Sequence, residues 1–137
     1  MKKETILVAE DSHPNRQILV HLLKKLNYEV VEAKSGTDAK TALAALEADT
    51  EKELVCLITD IMMPGMDGLS LIKELRSHAK FEKLPVVVVT AVADKNNILA
   101  AKDLHVAGFI VKPVTFQRVL EKLREIFPKR EFPKVAA

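Results

Sequence analysis

Residues 54–68 read LVCLITDIMMPGMDG, an apolar run that ends in an aspartate and is followed by a loop. Leu54–Thr59 contains no charged residue, and continuous apolar runs are typical of strands buried on both faces of a parallel sheet. The pairs Pro64-Gly65 and Asp67-Gly68 mark the loop, and Asp67 is placed to cap a helix that follows. The stretch therefore predicts a buried strand, a polar strand end at Asp60 and a new helix.

A polar or ionisable residue also ends each of four further apolar runs, and three of these ends look like parts of one site with Asp60. The runs are Thr5–Ala9 before Glu10-Asp11, Glu29–Ala33, Val86–Val89 before Thr90, and Gly108–Val111 before Lys112-Pro113. Helical patterns separate the runs, and alternating strands and helices are typical of a parallel sheet covered on both faces. We predict an α/β fold, a doubly wound, flavodoxin-like, five-stranded parallel sheet with strand order 2-1-3-4-5.

The helices are predicted from apolar residues that recur at helical spacing. In the first of them, Ile18, Leu19, Leu22, Leu23 and Leu26 form the apolar side. The acidic stretch Glu47–Glu53 reads as a loop. The predicted helices are Pro14–Leu26, a second capped by Ser35, a third capped by Asp67, a thinly apolar fourth at Asp94–Leu104, and a fifth from Thr115 to Phe127.

Length and composition limit the class of protein. The 137 residues suffice for one domain, which we place at residues 1–127 and follow with a disordered tail or linker stub at 128–137. Basic and acidic residues number 21 and 19, and 4% of residues are aromatic, which disfavours nucleic acid as a ligand. No run approaches the roughly 20 apolar residues of a membrane span, and a signal peptide core is missing, so we expect a cytoplasmic protein. The single cysteine, Cys56, is expected to be buried.

The polar strand ends are predicted to meet, because ligands of open α/β sheets bind outside the carboxyl ends of the strands. Carboxylates that converge there repel one another, and a hard cation such as Mg²⁺ relieves this repulsion. The expected ligands are Asp11 and Asp60, with Glu10 acting through a water and the carbonyl of Met62 completing the set. Glu10 and Asp11 taken alone fit helix capping equally well.

A carboxylate held on a metal can attack phosphorus and form an aspartyl phosphate. Asp60 is the candidate nucleophile in this chain. Phosphoryl transfer needs mostly positioning and charge neutralisation, which the ammonium of Lys112 and the hydroxyl of Thr90 can supply. The strand ends therefore predict a site for a metal ion and a phosphoryl group.

Several separated motifs resemble the receiver domain of two-component response regulators, and they occur in that family's order. They are Glu10-Asp11, the segment 60–68, Thr90-Ala91 and Lys112-Pro113, within a resemblance that covers about residues 4–127. The resemblance implies that Asp60 accepts a phosphoryl group from a histidine kinase or a histidine phosphotransfer domain. It also implies that the acidic pair binds Mg²⁺.

Further roles are implied by the same resemblance. Thr90, the backbone of Ala91 and Lys112 would hold the phosphoryl group, and a cis peptide bond before Pro113 would direct the lysine inward. Phosphorylation would draw Thr90 in and let Phe109 turn inward. In the family the second residue after the aspartate and after the threonine tunes phosphate lifetime, so we expect Met62 and Val92 to slow hydrolysis.

Two other functions compete with a phosphorylation-dependent switch. One is a protein-binding module that works without phosphate, and the other is a Mg²⁺-dependent phosphatase that uses Asp60 on outside substrates. The output partner or effector domain is unknown from sequence. A homodimer through the face of the fourth helix, fifth strand and fifth helix is a further expectation.

Overall fold

Strands and helices alternate along the chain in the computed structural model, which describes residues 2–63, 65–91 and 95–132. A short 3-10 helix at Ala79–Phe81 precedes the fourth strand. The elements are β1 (Lys3–Ala9), α1 (His13–Lys25), β2 (Glu29–Ala33), α2 (Gly36–Ala48), β3 (Lys52–Asp60), α3 (Gly68–Ser77), β4 (Val86–Thr90), α4 (Lys95–Asp103), β5 (Gly108–Val111) and α5 (Phe116–Ile126).

All strand pairs are parallel, and the sheet order is β2-β1-β3-β4-β5. The predicted fold class and strand order are therefore confirmed. Pro64, Val92 and Asp94, which entered the sequence predictions, lie outside the described residues. Among the residues that are described, no helix has both the length and the apolar character to cross a membrane.

The predicted loop at Glu47–Glu53 is mostly wrong. Helix α2 continues to Ala48, and β3 begins at Lys52. Lys52 and Glu53 pair with Lys3 and Glu4 of β1. Backbone hydrogen bonds between strands do not require apolar side chains. The polar residues at the start of β3 therefore lack the apolar pattern from which a strand is predicted.

The two faces of the sheet bury separate clusters of apolar side chains, because successive strand residues point to opposite faces. Leu7 and Leu57 pack with α2 and α3, whereas Ile6 and Ile58 pack with α1 and α5. This layering leaves the carboxyl ends of the strands uncovered by helices.

The apolar side predicted for α1 needs one correction. Ile18 is 43% exposed, and Val20 is buried in its place. Leu19, Leu23 and Leu26 are buried as predicted. Each helical residue turns the side chain by about 100°, so a small rotation of α1 on the sheet exchanges its two border positions.

The segment after α5 packs on the opposite end of the sheet. The Arg130 guanidinium lies 4.1 Å from the Tyr28 ring centroid, forms an ion pair with Glu4 and donates a hydrogen bond to Leu26 O at 3.4 Å. The Phe132 ring lies 6.5 Å from that of Tyr28. Residues 130 and 132 of the segment predicted as a disordered tail or linker stub therefore contact the fold, and residues 133–137 lie outside the described residues.

Cys56 provides a test of the global stability of this fold. It lies fully buried in β3 and pairs with Ile6 of β1, and burial raises the pKa of its thiol to about 12. We expect a thiol-specific reagent at pH 8 to label the folded protein at least about 1,000-fold more slowly than the unfolded chain, because labelling requires global unfolding. Mass spectrometry of timed samples measures the rates. Equal rates would contradict the buried placement of β3.

Candidate functional site

Four strand ends lie side by side at one edge of the sheet. Ala9, the last residue of β1, is level with Thr59 of β3, and Thr90 of β4 is level with Val111 of β5. The register therefore brings Glu10 next to Asp60 and places Lys112 beyond the end of β4. This is the edge at which open α/β sheets bind ligands.

The three predicted carboxylates come together at this edge. Each of Glu10, Asp11 and Asp60 offers an oxygen, and these oxygens lie within 4.8 Å of one another. Glu10 and Asp60 are 1% and 6% exposed, whereas Asp11 is exposed. Burial, and secondarily the charge of Asp60, raises the pKa of Glu10, although Lys112 and the Ser12 N–H oppose the shift. Two buried carboxylates and one exposed carboxylate form an acidic cluster open to solvent on one side.

The donor set fits a hard divalent cation. All three ligand candidates are carboxylates, the donors that Mg²⁺ prefers. Glu10 Oε1 is buried and accepts no hydrogen bond within the described part of the chain. Met62 follows at the start of the loop, and its N–H donates a long hydrogen bond to Asp60 Oδ1 at 3.4 Å. An incoming cation would therefore find carboxylate oxygens that are only partly satisfied.

Lys112 brings a positive charge into the acidic cluster. Its Nζ donates a hydrogen bond to Asp60 Oδ2 at 2.8 Å and lies 3.0 Å from Glu10 Oε1, where it is not aligned for a hydrogen bond. Burial lowers the pKa of Lys112, but the interactions with Asp60 and Glu10 outweigh burial and raise the pKa overall. The side chain is therefore an ammonium ion at neutral pH.

A cavity of about 390 Å³ opens beside the cluster. Thr90 is buried in its wall, and the Met62 side chain is 71% exposed. This volume is sufficient for a phosphoryl group next to the Asp60 carboxylate. The lining residues are Asp60, Ile61, Met62, Thr90, Ala91, Asn97 and Lys112.

The loop after β3 is held close to the sheet by α3. Asp67 accepts a hydrogen bond from Ser70 N at 2.8 Å and caps α3, as predicted. Gly68 N donates to Ile61 O at 2.8 Å. A Cβ atom on Gly68 would overlap the carbonyl oxygen of Asp60 and lie 2.9 Å from Ile61 Cα. The absence of a side chain at Gly68 therefore lets α3 approach the backbone of Asp60.

Phe109 and Pro113 lie where the strand pattern placed them. Phe109, in β5, is half-buried and packs against the apolar cluster that includes α3 and Ala101 of α4. The Lys112-Pro113 peptide bond is cis, as the resemblance implied. Val111 is 45% exposed on the same strand.

Two residues at the site were missed by the sequence analysis. Asn97 of α4 lines the cavity, and Arg16 of α1 donates a hydrogen bond to the carbonyl oxygen of Glu10 at 2.9 Å. Both are polar residues on helices, and sequence alone does not separate a solvated polar residue from one that reaches a neighbouring loop.

Comparison with known proteins identifies relatives over most of the chain. The family model described as response regulator receiver domain matches residues 6–124. The chemotaxis protein CheY1 of Helicobacter pylori is 39% identical over 122 residues, which are 88% of this chain and 94% of that protein. CheY of Pseudomonas aeruginosa is 36% identical and covers 90% of this chain and 96% of its own length.

A solved structure agrees with the fold. The chemotaxis response regulator CheY4 of Vibrio cholerae superposes with a TM-score of 0.77 at 26% identity. The match covers 91% of this chain and 99% of that chain.

Proposed function

Because the chain belongs to the response regulator receiver domain family, we propose that it is a phosphorylation-dependent signalling switch with Asp60 as phosphoacceptor. The phosphoryl donor is a histidine kinase or a histidine phosphotransfer domain, and the protein works in the cytoplasm. The observation that carries the proposal is the pairing of Asp60 with Lys112 at 2.8 Å inside a cluster of carboxylates.

The transfer step uses groups at the strand ends. A carboxylate oxygen of Asp60 attacks phosphorus, a P–O bond forms, and the bond from phosphorus to the donor nitrogen breaks, so the electron pair returns to the donor imidazole. Asp11, Asp60 and the Met62 carbonyl, with Glu10 acting through a water, would hold Mg²⁺, which would supply positive charge to neutralise the phosphoryl oxygens. Lys112 moves its hydrogen bond from Asp60 to a phosphoryl oxygen. The Thr90 hydroxyl and the Ala91 N–H bind the remaining oxygens.

The output is a change in packing near β5. A charge added at Asp60 draws Thr90 toward it, and the half-buried Phe109 turns into the space that Thr90 leaves. The exposed surface of α4, β5 and α5 changes as a consequence, through a shift between two existing states. This surface is the proposed contact for an output partner or a second copy of the chain.

Acetyl phosphate tests the proposed function directly. Intact protein incubated with acetyl phosphate and Mg²⁺ is expected to gain the mass of one phosphoryl group, as an adduct stable in acid and labile in base. Asp60→Asn should gain none, and the matched control Asp103→Asn, which changes an exposed aspartate of α4, should behave like the unaltered protein.

Each alternative function has its own result in this experiment. Failure of the unaltered protein to form an adduct would support the phosphate-independent binding module. Continuous hydrolysis of varied phosphate esters would support the phosphatase. Adduct formation by Asp60→Asn would contradict the assignment of the phosphoacceptor.

A further inference from the structure

Arg16 connects three parts of the chain near the acidic cluster. It lies in the first turn of α1, and its side chain is 13% exposed. Its Nη1 donates to the carbonyl oxygen of Glu10 at 2.9 Å, and its Nε donates to Glu32 Oε1 on β2 at 3.2 Å. Its Nη2 lies 3.1 Å from His13 Nδ1. The planar guanidinium thus bridges the ends of β1 and β2.

Other contacts fix the same turn. Glu10 N donates to Ala33 O at 3.0 Å, and Ser12 N donates to Glu10 Oε2 at 3.1 Å. The backbone at Glu10 is therefore held through both its N–H and its carbonyl oxygen, and Arg16 supplies the hold on the carbonyl. The direction of that carbonyl decides where the backbone of Asp11 and its exposed carboxylate lie.

Glu32 neutralises the charge of Arg16 beside the acidic cluster. Glu32 Oε1 also accepts a hydrogen bond from Gln17 Nε2 at 3.0 Å, so its carboxylate is held against the guanidinium. An arginine paired in this way acts through the fixed directions of its N–H groups. Its effect on a cation nearby is therefore one of geometry more than of repulsion.

We propose that Arg16, held by Glu32, is a positioning residue that orients Glu10-Asp11 for Mg²⁺ binding. The inference rests on the proposed function only in assuming that the acidic cluster binds Mg²⁺. Residues that orient metal ligands change metal affinity by about 10- to 100-fold when they are replaced. A residue that merely tied α1 to the sheet would change the stability of the fold and leave the Mg²⁺ affinity unaltered.

Mg²⁺ binding without a phosphodonor provides the test, since a ligand that binds only the folded state raises the thermal midpoint with its concentration. The Mg²⁺ dissociation constant from such titrations is expected to rise about tenfold in Arg16→Met. Arg16→Lys keeps the positive charge but loses the planar set of N–H donors of the guanidinium. Its Mg²⁺ dissociation constant should lie between those of Arg16→Met and the unaltered protein. Glu32→Gln, on the edge strand β2, should weaken binding in the same direction.

The matched control is Lys24→Met, which removes an exposed positive charge from the same helix. It should leave the dissociation constant unchanged.

Three results would overturn the proposal. The first is an unchanged Mg²⁺ affinity in both Arg16→Met and Glu32→Gln. The second is tighter Mg²⁺ binding by Arg16→Met, which would show that the guanidinium repels the cation. The third is the absence of Mg²⁺ binding by the unaltered protein. If the unaltered protein bound Mg²⁺ and Arg16→Met bound it more weakly as expected, but the unaltered protein formed no phosphoryl adduct, this proposal would stand and the proposed function would be contradicted.

Discussion

Lys112→Met is expected to lower the free energy of unfolding by about 3 kcal/mol in Mg²⁺-free buffer at neutral pH. Methionine keeps an apolar stem of similar length, so the loss comes from the ammonium. Without it, the buried carboxylates of Glu10 and Asp60 lose the cation that lies 3.0 Å and 2.8 Å from them. Removing one partner of a buried ion pair leaves charge uncompensated in a medium that solvates it poorly.

The destabilisation of Lys112→Met should depend on Mg²⁺ and pH in a defined direction. A bound cation replaces the ammonium, so Mg²⁺ should stabilise this variant more than the unaltered protein. Burial already raises the pKa of Glu10, and loss of Lys112 raises it further. A carboxyl with a raised folded pKa binds protons more tightly in the folded state. The loss of unfolding free energy in Lys112→Met should therefore become smaller as the pH falls through that raised pKa toward the ordinary glutamate value.

Urea denaturation with and without Mg²⁺ measures both effects. The matched control is Lys122→Met, because Lys122 pairs with Glu125 at 3.4 Å on the surface of α5, and exposed pairs contribute at most about 1 kcal/mol. Adduct formation by Lys112→Met should slow by about 100-fold or more, because the ammonium that stabilises the charge of the transferring phosphoryl group is lost. Equal stability of Lys112→Met and Lys122→Met in Mg²⁺-free buffer would contradict the buried ion pair.

The sheet and its polar edge could be predicted because they follow from local patterns. Continuous apolar runs end at Glu10, Asp60, Thr90 and Lys112, and the parallel topology brings those ends together. The caps at Ser35 and Asp67 were also predicted from the residue type before an apolar helix, and both side chains accept the capping hydrogen bond. Local pattern and topology together therefore predicted which polar residues lie at this edge.

The missed features depend on contacts between distant segments. Arg16 reaches across to Glu32, sixteen residues along the chain, and Arg130 donates to the carbonyl of Leu26 at a separation of 104 residues. No periodicity encodes such pairs, because each side chain alone fits a solvated surface. The rotation that exposes Ile18 and buries Val20 likewise depends on how α1 packs on the sheet.

Gly68→Ala is expected to lower the free energy of unfolding by about 2 to 3 kcal/mol, the upper range for overpacking. Helix propensity alone predicts a gain of up to about 1 kcal/mol for alanine at a helical position, so any loss must come from steric overlap. The new methyl group would meet the carbonyl oxygen of Asp60 and lie 2.9 Å from Ile61 Cα. Both are backbone atoms, which cannot turn aside as a side chain can.

The same substitution should impair phosphorylation, because relief of the overlap requires α3 or the end of β3 to move. A displacement of about 1 Å at a reacting group can slow a reaction by roughly 100-fold. Gly108→Ala is the matched control, since its methyl group would lie 3.1 Å from Cδ of the flexible Lys122 side chain. Urea denaturation and adduct formation are measured on both variants. If Gly68→Ala were as stable and as reactive as Gly108→Ala, α3 could not be packed against the Asp60 backbone, and the position of Asp60 would have to depend on β3 alone.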